Sequence, residues 1–241
     1  MREQSGIEYR GWDSNFFQKK IGRIRATNTV DIAEIVDQAG RSGYDCLFFE
    51  TTFDQQEIVR YCLSHSFILT DIKTILSTAI KPGERISYSP EITLDGNREM
   101  RRRMEEIAAN ELAPLSRYSF DPGFGPKEAK RLYREWARQA AADTFSEAVI
   151  LSIPAPNSLA GFITLRIRAA KLFIDLFAVT PEFRGKDIGS GLIRAASIWA
   201  RKNSYKYLYV TTQGHNIPAL RAYEKNGFKT DSMNLFLHRW L

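Results

Sequence analysis

LFAVTPEFRGKDIGSGLI, residues 176–193, is the stretch whose reading decides the fold. It opens as the end of an apolar run, LFIDLFAV (172–179), which reads as a buried β-strand ending at Val179. A short loop follows with Arg184, Gly185, Lys186 and Asp187, and a helix begins near Ile188, Gly189 and Ser190. The N–H groups of a first helical turn have no partners inside the helix, and the helix dipole adds about half a positive charge there. Small residues at that turn let a phosphate come close, so the loop is built as a pyrophosphate cradle, with Arg184 and Lys186 supplying side-chain charge. It is neither a Walker loop nor GxGxxG. By its glycines alone it is also compatible with a plain strand-to-helix turn.

Working outward, AVILSI (148–153) and AGFITLRIR (160–168) read as strands joined by a Pro/Asn turn. On the other side, residues 188–203 carry Ile188, Leu192, Ala196 and Trp199 at helical spacing, and YKYLYVTT (205–212) is a strand. A helix over 217–226 has Asn216 as its N-cap, Pro218 in its first turn and Gly227 as its stop. NLFLHRW (234–240) is a final strand. The order strand–strand–strand–helix–strand–helix–strand predicts an α/β fold, a mixed sheet with helices on both faces.

Further out, Ile21 to Arg25 is a short strand. Ile32, Ile35, Val36 and Ala39 form an amphipathic helical stripe stopped by Gly40 and Gly43. CLFFE (46–50) is a buried strand, Ile58, Val59, Cys62 and Leu63 make a second stripe, and FILTDIKTILS (67–77) is a strand. In the middle, KPGE, SPE and DG are turn signals, 97–112 is a polar helix, SRYSFDPGFGP (116–126) reads as a loop, and Ala129, Leu132, Trp136 and Ala140 share one helical stripe. DCLFFETT–helix–HSFILTDIKTILS also resembles KYLYVTT–helix–NGFKTDSMNLFLH with about one gap, so one strand–helix–strand unit is used twice. The first section is then a smaller α/β unit, a reduced copy of part of the second; chance likeness of two ordinary α/β units is the competing reading.

Composition agrees with a folded chain. The 241 residues are 44% hydrophobic and 26% charged, which speaks against disorder and coiled coil. No apolar run reaches the roughly 18–20 residues of a membrane helix, and MREQSGIEYRGW lacks the apolar core of a signal peptide, so a cytoplasmic protein without membrane insertion is expected. Cys46 and Cys62 lie in apolar surroundings and read as buried reduced thiols. His65, His215 and His238 make no metal-spaced pair, so no metal is expected. The 34 basic against 28 acidic residues suit an anionic small ligand without demanding nucleic acid. The densest basic run, Arg98 and Arg101 to Arg103, precedes Glu105 and Glu106 and reads as a solvated helix face.

Leu176, Val179, Pro181, Arg184, Ile188 and Gly189 resemble the acetyl-CoA loop of the GCN5-related N-acetyltransferase (GNAT) superfamily, [QR]-x-x-G-x-[GA] after L-x-V-x-P. Asp187 stands where that pattern has Gly; Asp tolerates a left-handed backbone, and it brings a carboxylate near the phosphates. Asn216, Ala219, Tyr223, Gly227 and Phe228 resemble the superfamily's later N-x-x-A-x-x-x-Y-x-x-x-G-F string. The likeness spans roughly 145–241. It implies a GNAT fold and acetyl-CoA as cosubstrate. Its pyrophosphate would lie on 184–190, the backbone of Phe177, Ala178 and Val179 would polarise the thioester, and Asn216 and Ala219 would lie by the pantetheine. It also implies that the Tyr223 hydroxyl protonates the departing thiolate. Asp175, on the same strand, is the candidate base; a solvent-facing structural Asp and a water chain compete with it.

GWDSNFF (11–17) with IGRI (21–24), and SRYSFDPGF followed by LYREW, resemble the bacterial TDP-fucosamine acetyltransferase family. That likeness implies transfer of an acetyl group to the amine of a nucleotide-linked amino-deoxy sugar, for surface polysaccharide synthesis. Arg117, Tyr118, Asp121 and Phe124 are the expected acceptor contacts, since Arg and aromatic rings suit a diphosphate and a base. Trp12, Phe16 and Phe17 also fit as core aromatics. The expected division is 1–115 as an α/β section contributing to the acceptor site and 116–241 as the acetyl-CoA-binding domain. A homodimer is compatible with this reading. A peptide or other small amine as acceptor, and a non-catalytic CoA- or partner-binding module, are the alternatives.

Overall fold

A computed structural model describes residues 5–81, 92–93, 98–142 and 145–241. Apart from Lys81, the residues of KPGE, SPE and DG lie outside this set, as does Asn97 of the polar helix. The N-terminal section runs β1 (Gly6–Tyr9), α1 (Gly11–Phe17), β2 (Ile21–Arg25), α2 (Thr29–Arg41), β3 (Cys46–Thr51), α3 (Gln56–Ser64) and β4 (Ile68–Ala79). A middle section holds β5 (Ile92–Thr93), α4 (Arg98–Ile107), α5 (Arg117–Phe120) and α6 (Gly125–Ala140). The last section runs β6 (Ala148–Ser152), β7 (Gly161–Arg168), β8 (Lys171–Val179), α7 (Ile188–Lys202), β9 (Tyr207–Gln213), α8 (Ile217–Lys225) and β10 (Lys229–Trp240). Among the described residues these strands make one sheet in the order β1-β2-β3-β10-β4-β9-β8-β7-β6-β5. Only β2/β3 and β8/β9 pair parallel. No helix among them is long and apolar enough to cross a membrane.

The repeat read in the sequence is a repeat in space. Each unit ends in a long strand, and the two long strands are exchanged: β10 lies between β3 and β4, and β4 between β10 and β9. Setting Phe67 on Phe228 puts Ile68 on Lys229 and Ser77 on His238. In the sheet Ile68 pairs with His238 and Ser77 with Lys229, as a two-fold relation between the copies requires. Lys73 and its counterpart Asn234 face each other at the centre. Ser66 and Gly227 match too, both with positive φ (62° and 83°) just before a buried Phe.

Two helical layers cover the sheet. The α2 stripe of Ile32, Ile35 and Ala39 packs with Leu47, Phe49 and Leu237, and α7 and α8 bury Leu192, Ile193, Ala196 and Tyr223 on Leu172, Ile174 and Val210. On the other face Met104, Leu132 and Tyr118 from α4 to α6 pack on Phe48, Phe162 and Phe236. Helix α2 passes through Gly40, whose absent Cβ would meet nothing, and ends before Gly43 at φ 67°. The polar helix buries Met100 and Met104 while Arg102 and Arg103 pair with Glu99 and Glu106 outside. Residues 116–126 are not the expected open loop. Ser116 caps the single turn α5 by accepting from the Ser119 N–H, and Pro126 starts α6, where a missing N–H costs nothing. Both cysteines are buried and free, and desolvation pushes the Cys62 thiol up to about 12.

Candidate active site

The site is opened by a bulge in β8. Ile163 pairs with Phe177 and Leu165 with Ile174, so Asp175 and Leu176 together oppose Thr164. The Leu176 N–H, robbed of its ladder partner, donates to the Thr164 hydroxyl at 3.0 Å. The extra residue exchanges faces: Leu172 and Ile174 point to the α7 layer, whereas Leu176 and Ala178 point to the α6 layer. It also ends pairing with β9, which matches β8 only from Leu172/Leu208 to Ile174/Val210. The strands then part. The Leu176 and Thr180 N–H groups turn toward the β7 side, so by strand alternation those of Phe177 and Val179 face the gap while that of Ala178 does not.

A cleft of about 740 Å³ runs along this gap between the loop and α8, lined by Phe177, Val179, Arg184, Gly189, Asn216 and Ala219 among others. Gly185 (φ 75°) and Asp187 (φ 61°) adopt the left-handed backbone expected there. A Cβ on Gly189 would stand 3.2 Å from the Phe177 ring, so the glycine keeps this wall of the cradle low. The Asp187 carboxylate is turned to Arg194 (3.0 Å) and Lys225 (3.2 Å), which hold its pKa below the usual range and offset its charge at the cradle. Arg184 donates from Nε to the Val179 carbonyl (3.1 Å) and pairs with Glu111. Lys186 lies outside the cleft lining, its Nζ 5.2 Å from the Phe183 ring centroid. The Ser190 hydroxyl accepts from Asn226 (3.3 Å). A small-residue loop, free helix N–H groups and long cleft fit a pyrophosphate with an extended arm.

Asn216 caps α8, its side-chain oxygen accepting from the Ala219 N–H at 3.3 Å. Tyr223 is buried, its ring 5.7 Å from Phe177 and 5.4 Å from Phe228. Burial pushes its hydroxyl pKa well up, so it stays protonated at neutral pH. Tyr223 also lines a second cavity, of about 490 Å³, which meets the cleft at Phe177, Asn216 and Ala219.

Arg117, Tyr118 and Asp175 line this second cavity; Asp121 and Phe124 do not. Asp121 is fully buried. It accepts from Trp240 Nε1 (2.8 Å), from the Gly123 N–H (2.8 Å) and from His238 Nδ1. Phe124 packs on Phe17 and Trp240 at 4.4 and 4.9 Å. These two expected acceptor contacts are therefore core residues, because α5 turns them under the sheet. Asp175 is paired with Arg168. Tyr118 is buried at the cavity floor, its hydroxyl accepting from Arg117 (2.6 Å) and donating to Asp13 (3.4 Å).

Arg10, Asp13, Arg166 and Arg168, not among the expected site residues, also line the cavity, as do Trp12, for which core packing was the competing reading, and Trp136 of the α6 stripe. The visible signal was Arg166 and Arg168 two apart, on one face of β7. Trp12 is 40% exposed, whereas Phe17 of the same string is buried. Asp71 on β4 lies outside the lining of both cavities. Burial raises its pKa to about 6, with Arg117 opposing the shift.

A model of the acetyltransferase (GNAT) family matches residues 110–228. The chain is 30% identical over 129 residues to the spore coat polysaccharide biosynthesis protein SpsD of Bacillus subtilis, covering 52% of this chain and 43% of that protein. It is 29% identical over 119 residues to a dTDP-fucosamine acetyltransferase of Escherichia coli, covering 49% and 50%. The matches to these two thus span half of their length or less. A third relative, the uncharacterized N-acetyltransferase YhfO of Bacillus subtilis, is 34% identical over 118 residues, covering 42% of this chain and 78% of that protein. Solved GNAT structures share the architecture over 88–91% of this chain and 67–80% of their own, with TM-scores of 0.55–0.60 at 10–12% identity, which speaks for the fold alone. With its splayed strands, its small-residue cradle and these relatives, the chain belongs to the acetyltransferase (GNAT) family.

Proposed function

We propose that this protein transfers an acetyl group from acetyl-CoA to the amine of a nucleotide-linked amino sugar, in surface polysaccharide synthesis. The observation that carries the acceptor class is the second cavity. Among the described residues, four guanidiniums, from Arg10, Arg117, Arg166 and Arg168, meet two carboxylates there, Asp13 and Asp175, beside the indoles of Trp12 and Trp136. That lining suits a diphosphate and a ring, and it opens onto the cleft where the thioester would arrive. Polysaccharide and sugar relatives support the same reading.

Acetyl-CoA supplies an activated thioester; the chain positions and polarises. The gap-facing N–H groups of Phe177 and Val179 are fixed donors for charge developing on the carbonyl oxygen. Tyr223 holds a proton for the leaving sulfur. Asp175, paired with Arg168, lines the cavity at the bulge and draws a cationic amine toward it.

A thiol-release assay over dTDP-linked amino sugars, free amino sugars, simple amines and peptides tests the proposal. The highest kcat/KM is expected for a dTDP-linked amine; equal or higher values for peptides would overturn it. Acetyl-CoA should raise the Tm. Arg184→Ala should weaken acetyl-CoA binding about tenfold in calorimetry, the worth of one charge-assisted contact.

A further inference from the structure

We infer that Arg166, with Arg117, forms a diphosphate-binding subsite of the acceptor cavity, and that Arg166 sets the preference for a nucleotide-linked over a free amino sugar. The inference rests on the acceptor reading above and names the residues that would carry it. The four cavity arginines are not alike. Arg10 is paired with Asp13 (3.2 Å) and with Glu8 (3.1 Å), and Arg168 with Asp175. Arg166 makes no ion pair with any described residue: its guanidinium lies 3.7 Å from the Phe145 ring centroid, and the influence on its charge is desolvation. Arg117 has none either. Its guanidinium sits 4.3 Å from the Phe236 ring centroid and 4.4 Å from that of Tyr118, and its Nε is buried without a partner. Asp71 acts on it from outside the lining without bonding to that Nε.

Burial leaves the Arg117 Nε donor unmade, which costs free energy until an acceptor arrives, while Arg166 is half-buried with its guanidinium over Phe145. Aromatic backing holds the planar fork in place and leaves its edge donors available, the geometry in which Arg grips phosphate. Two such groups in one cavity match the two negative charges of a diphosphate linkage. Arg166 is placed for specificity because it stands on the far end of β7 from Gly161, beyond the bulge, away from the thioester end of the gap.

The test is calorimetry with dTDP and with thymidine, the cleft being saturated with CoA so that dTDP cannot enter it. Wild-type protein should bind dTDP, and Arg166→Gln should weaken that binding about tenfold or more. Arg166→Lys should restore part of it, and thymidine binding should be unchanged in both. In turnover, Arg166→Gln should raise KM for a dTDP-linked amine with kcat kept, and leave a free amino sugar unaffected. A folded Arg166→Gln protein with wild-type dTDP affinity would overturn the subsite even if the dTDP-linked amine is acetylated. Loss of dTDP binding in the variant, with no turnover of any dTDP-linked amine by wild type, would support the subsite and sink the proposed reaction. No dTDP binding by wild type would overturn the subsite outright.

Discussion

Tyr223→Phe is expected to lower kcat about 10²-fold or more, the usual worth of a positioned proton donor, with the Kd for acetyl-CoA unchanged. The ring makes the packing contacts with Phe177 and Phe228, and a phenylalanine keeps them. Only the hydroxyl is lost. Burial raises its pKa, which keeps the proton in place across the working range but makes it a weak acid toward a solvated thiolate. In the proposed reaction a thiolate leaving beside this buried hydroxyl would itself be a stronger base than in water, which would restore the match. Single-turnover acetyl transfer separates this step from binding; an unchanged rate would remove Tyr223 from the chemistry.

Asp121→Ala should cost about 3–5 kcal/mol of stability, as breaking a buried charged network does, lowering Tm by roughly 10 °C, with acceptor KM in the folded fraction unmoved. Three donors converge on this carboxylate, from His238, Trp240 and Gly123, and all three would be left buried without an acceptor. A Cβ on Gly123 would come within 2.1 Å of the Trp240 indole, so the backbone has little room to adjust. The network also sets acid sensitivity. Desolvation lowers the His238 pKa to about 4, against about 6.5 unfolded. The unfolded chain therefore binds the extra proton first, and this stabilisation, complete above pH 6.5, is lost as pH falls toward 4. Asp71 works with the opposite sign, its raised pKa favouring the folded state as pH falls from about 6 toward 4. Asp71→Asn should thus steepen the acid loss of stability in urea titrations. A shift in acceptor KM at constant Tm for Asp121→Ala would return Asp121 to the binding surface.

Much of this was legible from residue pattern alone. Local signals carried the elements: the helical stripe of α2, the Asn216 cap, and the left-handed turn at Asp187 each depend on neighbours in the chain. Three features were not legible, for the same physical reason: each is set by residues distant in the chain. Leu172, Ile174, Leu176 and Ala178 alternate without interruption, as in a regular strand. The bulge that sends the last two to the other face is set by Thr164 across the ladder. Likewise the SRYSFDPGF string carries turn residues, and only tertiary packing brings Asp121 beneath His238 and Trp240. Arg166 reads in the sequence as an ordinary charged residue near a strand end, and its cavity is closed by Phe145 and residues of α1 and α6, distant in sequence.

The exchanged long strands bear on how the chain is made. During synthesis the N-terminal unit emerges first, but the slot between Cys46–Thr51 and Ile68–Ala79 is filled by Lys229–Trp240, about 150 residues later. Until then two hydrogen-bonding edges stand open at the heart of the nascent sheet, the kind of surface on which aggregation begins. Such distant pairing slows acquisition of the native state, and this protein should depend on ribosome-associated holding more than an acetyltransferase of one unit does.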